Sequence, residues 1–231
     1  MNQFNRADLT AALVRAPQTR VTPSGLSVLE ATVEVEVTRA NGSVAPIYLP
    51  FTMAGPQVDL LAPRLEAGTP VVIEGMIVQE RWEQGGEQKS CLKVKGLHTE
   101  VLGWTGLEFV RDTRGGVRLK GGMNEAVMGG NLLADPVFRQ GGQVVELALA
   151  LNENFRDRQG ERQERLHTLR VVGWRDLAER VRRLGLRKGS PVFAQGFLYN
   201  DAWKTTEGQP RNTIKLEATR IEPISVPAAR A

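Results

Sequence analysis

Cysteine is almost missing from this chain: Cys91 is the only one among 231 residues. No intrachain disulfide can form and no cysteine-rich zinc cluster can be built, which fits a reducing, cytoplasmic setting. Cys91 lies between Ser90 and Leu92 in a strand-like stretch, where a packed thiol is a better reading than a nucleophile. Histidine is nearly as scarce, and neither His98 nor His167 has a second ligand at metal-binding spacing. Long apolar runs are missing too. Stretches such as residues 70–73 are short and flanked by charge, far below the ~20 residues that cross a bilayer. Met1 to Arg6 contain no apolar leader segment. Gly115-Gly116 and Gly121-Gly122 lack the Lys-Ser/Thr that completes a phosphate loop. No pair of carboxylates stands apart from the scattered acids. These absences argue against an enzyme, a metal or organic cofactor, and a membrane partner.

What is present describes a globular protein, with 41% hydrophobic and 24% charged residues. The length allows one large domain or two small ones. The net charge of +4 is only mildly basic, but it is unevenly spread. Residues 1–119 hold 12 Lys and Arg against 13 Asp and Glu, while residues 120–231 hold 18 against 13. An anionic polymer would therefore be drawn more strongly to the second half.

The chain is written twice. Gly68, Pro70, Gly75 and Trp82 recur as Gly189, Pro191, Gly196 and Trp203, each 121 residues on. Leu92-Lys93-Val94 returns as Ile214-Lys215-Leu216 at an offset of 122, and Ala16-Pro17 as Asp135-Pro136 at 119. Such small drift is what loops of unequal length produce, so duplicated domains are expected: residues 1–103 and 121–223. Residues 104–120 have no counterpart and read as a β-hairpin connector, and 224–231 as a frayed tail. Period-2 alternation marks strands at residues 28–38, 143–151 and 192–203, with Gly196 suggesting a bulge. Asp176 to Leu184 reads as a helix burying Leu177, Val181 and Leu184, with Asp176 as N-cap. Residues 57–65 form its weaker counterpart. The expected fold is all-β: two tandem five-stranded OB-type barrels with one short helix each.

The second half brings aromatic rings and cations into the same loops. Phe155 is followed by Arg156, Arg158, Arg162 and Arg165 in a polar, glycine-bearing loop. Trp174 sits between a strand and the helix, and Trp203 enters a long hairpin with Lys204 and Arg211. Rings that stack on bases and cations that track phosphates are what sequence-independent binding of a single nucleic-acid strand requires. Phe193 and Phe197 read instead as core or subunit contacts. The first half is poorer. Trp82 with Arg81 and Lys89 repeats the hairpin, and Tyr48 and Phe51 add two rings. No ring stands where Phe155 or Trp174 would fall. An interaction module on the same fold, or a binder of duplex or structured RNA, would need few of these rings and stays open at this point.

The second half also resembles the bacterial single-stranded DNA-binding proteins. The resemblance runs through VMGGNLLADPVFR at 127–139, LNENFRDRQGE at 151–161, QERLH at 163–167, GWRDLAE at 173–179 and RKGSPV at 187–192. The first half resembles them more loosely, as the subgroup with two OB folds per chain does. The resemblance implies base stacking at Phe155, Trp174 and Trp203, a subunit contact at His167, and Leu166 in place of a further stacking Trp. It implies a homodimer presenting four barrels, acting on the nucleoid in replication, recombination and repair. Members of the family recruit other proteins through an acidic tail. The residues ending at Ala231 carry no acidic run, so tail-docked partners are not expected.

Overall fold

Alternation of side chains sets the architecture. The structure is a computed structural model, and it describes residues 4–38, 42–103, 106–111, 117–156, 160–204, 206 and 208–224. In β3 (Ser27–Thr38) Leu29, Val33, Val35 and Val37 point inward while Glu30 and Glu36 point out, the pattern of a sheet with one wet face. The same logic repeats in β1 (Asn5–Leu13), β4 (Val44–Ala54), β5 (Pro70–Gln84) and β6 (Glu87–Val101). β2 (Gln18–Val21) is a short edge strand on β3. β1 pairs with β3 and β5, β3 with β4, β5 with β6, and β4 runs parallel to β6. This circuit closes a five-stranded barrel. The helix α1 (Pro56–Leu61), extended by a 3₁₀ turn over Ala62–Arg64, plugs one end with Val58 and Leu61. The turn is where Pro63 ends the α-helical hydrogen bonding.

The second half repeats this plan. β9 (Asn124–Leu132), β11 (Val144–Arg156), β12 (Arg162–Trp174), β13 (Pro191–Lys204) and β14 (Pro210–Pro223) close a second barrel, again with one parallel pair, β12 with β14. β10 (Val137–Arg139) is its edge strand. The helix α2 (Asp176–Leu184) is as expected in span but not in detail. It buries Ala178 and Val181 and leaves Leu184 exposed. Asp176 is the first helical residue and does not cap; Arg175 precedes it at φ +47° with no side-chain cap. In the first barrel the same place is taken by Gly55 at φ +91°, and both N–H groups donate to the strand below, Gly55 to Ser27 and Arg175 to Gln143. The backbone wants a glycine there, so the second barrel carries strain immediately after Trp174.

The described residues group into two compact units. One holds Arg6–Glu125 and Tyr199–Ile214; the other holds Ala126–Leu198 with the chain up to Asn5 and from Lys215 on. The distal hairpin of β13 and β14 thus groups with the first barrel. In that unit β7 (Phe109–Arg111) and β8 (Val117–Leu119) form the connector hairpin. It packs on β3: Gly121 N–H donates to the Glu36 carboxylate at 2.9 Å, Leu119 is buried, and Val117 sits against Gly68. Among the described residues no helix is long and apolar enough to cross a membrane.

Candidate nucleic-acid interface

Strand register decides which side chains share a surface. On β12 one outward face carries Arg162, Leu166, Arg170 and Trp174, every fourth residue. At 3.3–3.4 Å rise they are spaced at about 13 Å. Across the sheet Trp174 lies opposite Val144, which lies opposite Arg139. Arg170 lies opposite Ala148 and opposite Lys215. The face therefore interleaves exposed apolar groups with cations, and the acids Glu146, Glu164 and Glu217 lie on it too. Three of those cations, Arg139, Arg170 and Lys215, were not singled out from the sequence. Arg170 has the same parity as Trp174 on one strand and was legible; the other two depend on cross-strand register.

Trp174 is 43% exposed, Trp203 46% and Trp82 42%. None is a core residue. Trp203, Lys204 and Arg211 are all exposed on the β13–β14 hairpin. Trp82 lies directly opposite Lys89 on the β5–β6 hairpin, and the neighbouring Arg81 bonds Gln79 at 2.8 Å. That hairpin closes through Gly85 and Gly86, both at positive φ, so that Gln84 pairs with Glu87. Two central residues at positive φ favour glycine in this two-residue turn.

Phe155 lies on the opposite face of the β11–β12 ribbon from Trp174, half-buried, opposite Gln163. The Arg165 guanidinium stands over its ring at 5.0 Å. Arg156 bonds the Gly160 carbonyl at 2.8 Å and Arg162 approaches Asn154 at 3.5 Å. Arg158 lies outside the described residues.

Two expectations need correction. Phe51 is not a surface ring: it is buried in the first barrel with its edge over Gly96, where a Cβ would come within 2.9 Å of it. Tyr48 and Phe51 are an odd number of residues apart on one strand, so they must point to opposite faces. Tyr48 takes the outer one, half-buried opposite Glu34. His167 is not a direct subunit contact, because it has no exposed surface; its Nε2 sits 3.0 Å from Glu153 inside the second barrel.

The corresponding outer face of the first barrel is unlike that of the second. β3 presents Glu30, Glu34 and Glu36 there, and Glu34 is wholly buried. Each barrel also spans its parallel seam with an equivalent ion pair: Glu30 with Lys93 at 2.7 Å, and Glu146 with Lys215 at 3.2 Å. Lys93 also binds Glu80, and Glu146 also binds Arg170, both at 2.6 Å. The Lys93 hydrogen bond holds Glu30 below the usual carboxylate range. Burial pushes Glu146 up, but Lys215, Arg170 and Arg139 outweigh it and the net shift is downward. Burial likewise opposes the charge on Lys93, yet Glu30 and Glu80 raise it overall.

These directions fix a pH window. A carboxylate that is more acidic when folded contributes above its ordinary value of 4.5 and loses that contribution as pH falls through the lower folded value. Lys93 contributes fully below 10.5 and loses it as pH rises through its higher folded value. The contribution of these pairs should be flat from about pH 5 to 10 and fall on either side. Thermal midpoints measured across pH check this, and a steep slope inside the window that Glu30→Gln and Glu146→Gln remove would contradict it.

Comparison with known proteins gives the family and the fold. The family model described as the single-strand binding protein family matches residues 4–102 and 123–224. A single-stranded DNA-binding protein of Deinococcus radiodurans is 40% identical over 238 residues, covering 99% of this chain and 78% of the relative. One from Thermus thermophilus is 36% identical over 226 residues, covering 95% and 84%. The crystal structure of the wild-type Thermus aquaticus single-stranded DNA-binding protein superposes with a TM-score of 0.76 at 29% identity, covering 100% of this chain and 98% of that one. With both barrels matched and this chain covered almost end to end, this chain belongs to the single-strand binding protein family.

Proposed function

We propose that the protein binds single-stranded DNA without sequence preference, stacking bases on Trp174, Phe155 and Trp203 and neutralising phosphates with the surrounding Arg and Lys side chains. The observation that carries this is the outward face of β12. Trp174 is exposed there in the same cross-strand row as Arg139, with Arg170 two pleat repeats away along the strand and Leu166 two further on. Exposed rings among cations suit a strand whose bases are unstacked and whose backbone is charged. The relatives named above are single-stranded DNA-binding proteins. In this reading the chain is a binding protein, not an enzyme, works where DNA is copied, recombined and repaired, and pairs with a second copy to present four barrels. The half-buried Phe193 and Phe197, on one face of β13, are available for that pairing. The first barrel contributes less, through Trp82, Arg81 and Lys89, because its outer sheet face is acidic and packed by the connector.

The test is an electrophoretic titration with oligo(dT) of graded length, run beside mass determination in solution. Saturable binding that tightens with length, weakens by about 0.7 in log K per log salt for each phosphate neutralised, and resists duplex competitor is expected, with a mass of two chains. Failure to retain oligo(dT) at low salt would favour an interaction module on the same fold. Equal competition by duplex would favour a shape-reading binder.

A further inference from the structure

We infer that Arg165 and Glu153 are positioning residues for the Phe155 ring and that Arg165 is not a phosphate contact, a reading that rests on the single-strand function proposed above. The register of β11 and β12 places Leu151 opposite His167, Glu153 opposite Arg165, and Phe155 opposite Gln163. All of these lie on the face that, further along, lines the barrel interior. Moving outward, that face changes from the wholly buried His167, through Glu153 with its side chain 8% exposed, to the half-buried Phe155. The contacts run in the same order. His167 Nε2 is 3.0 Å from Glu153 Oε2, that oxygen is 3.9 Å from an Arg165 terminal nitrogen, and the Arg165 Cζ is 5.0 Å from the Phe155 centroid.

A carboxylate this far from water stays ionised only among polar partners. The imidazole holds one side of it from the core. Arg165 then has a fixed carboxylate at one end of its reach and a phenyl ring under its plane. A planar, weakly hydrated guanidinium is suited to this stacking. It covers one face of the ring, and the other is assigned to a base. Arg162, by contrast, points from the opposite face of the ribbon, where it approaches the Asn154 side chain at 3.5 Å. The two arginines, three residues apart, are thus assigned different tasks: Arg162 to the backbone of the bound strand, Arg165 to the ring that a base stacks on.

The experiment measures oligo(dT) affinity over a salt series for the full chain and for Arg165→Ala, Glu153→Gln and Phe155→Ala, alone and in pairs. Arg165 has a side chain 54% exposed, so its replacement keeps the fold. Arg165→Ala should weaken binding about two- to fivefold, the worth of one exposed cation–π contact, with the salt slope unchanged. That loss should vanish in a Phe155→Ala background, since removing the ring removes what Arg165 supports. Glu153→Gln, if folded, should show the same dependence on Phe155. A slope shallower by about 0.7 in Arg165→Ala, or a loss equal in both backgrounds, overturns the positioning role and makes Arg165 a phosphate contact. Wild-type affinity in folded Glu153→Gln overturns the part given to Glu153. If Phe155→Ala alone leaves affinity unchanged, the stacking role of that ring fails first, and the support of it with it.

Discussion

Phe51→Ala should lower the stability of the first barrel by about 3–5 kcal/mol, the range for emptying a buried phenyl site, while leaving the stacking surface of the folded protein intact. The ring is among the largest wholly enclosed side chains and its edge lies over Gly96 and close to Thr99. The cavity left behind has backbone on one side, which cannot collapse into it without disturbing the β5–β6 register shift at Gly75. Urea denaturation followed by far-UV circular dichroism reads the loss as a lower midpoint for part of the transition. Oligo(dT) affinity, measured well below that midpoint, should change little. An unshifted midpoint with a large loss of affinity would put Phe51 back on the binding surface.

Trp203→Ala and Trp174→Ala should act the other way round: stability nearly unchanged, and single-strand binding weaker by about 1–3 kcal/mol each, the worth of a base–aromatic stack. Each ring is more than two-fifths exposed, so removing it leaves no cavity. Trp82→Ala should cost less than either. Trp82 is as exposed as its counterpart and has Lys89 opposite it, but its barrel carries Glu30 and Glu36 on the outer face of β3. The segment up to residue 119 carries one more acid than base. The Trp174 face of the second barrel, by comparison, carries Arg139, Arg162, Arg170 and Lys215 against Glu146, Glu164 and Glu217. Equilibrium binding of the three variants to the same oligo(dT) decides the order. If Trp82→Ala is the most damaging of the three, the two barrels do not divide the work in this way.

The duplication was legible because steric necessity repeats with it. Gly75 and Gly196 fall in step since a Cβ at either would strike a carbonyl of the neighbouring strand, Lys95 O at 2.4 Å and Glu217 O at 1.9 Å. No other residue fits, so both copies keep it. The connector hairpin and the span of α2 were legible for similar local reasons, alternation and helical spacing. What the sequence did not yield depends on pairing. That Phe155 faces away from Trp174, and that Lys215 and Arg139 join the Trp174 face, follow from registers set across strands. The inward direction of Phe51 and His167 was within reach: each alternates with buried neighbours, Leu49 and Met53 in one case, Leu169 and Val171 in the other. Reading the rings as a set, without their parity, hid it.

The claim beneath all of this is that exposed indoles receive unpaired bases. Intrinsic tryptophan emission, followed while poly(dT) is added at low salt, tests it most directly. Saturable quenching is expected, smaller in Trp174→Phe and in Trp203→Phe, and not reproduced by duplex DNA of equal nucleotide concentration. Emission that stays constant while gel retardation shows the strand bound would contradict it, because the protein would then be holding DNA by charge alone.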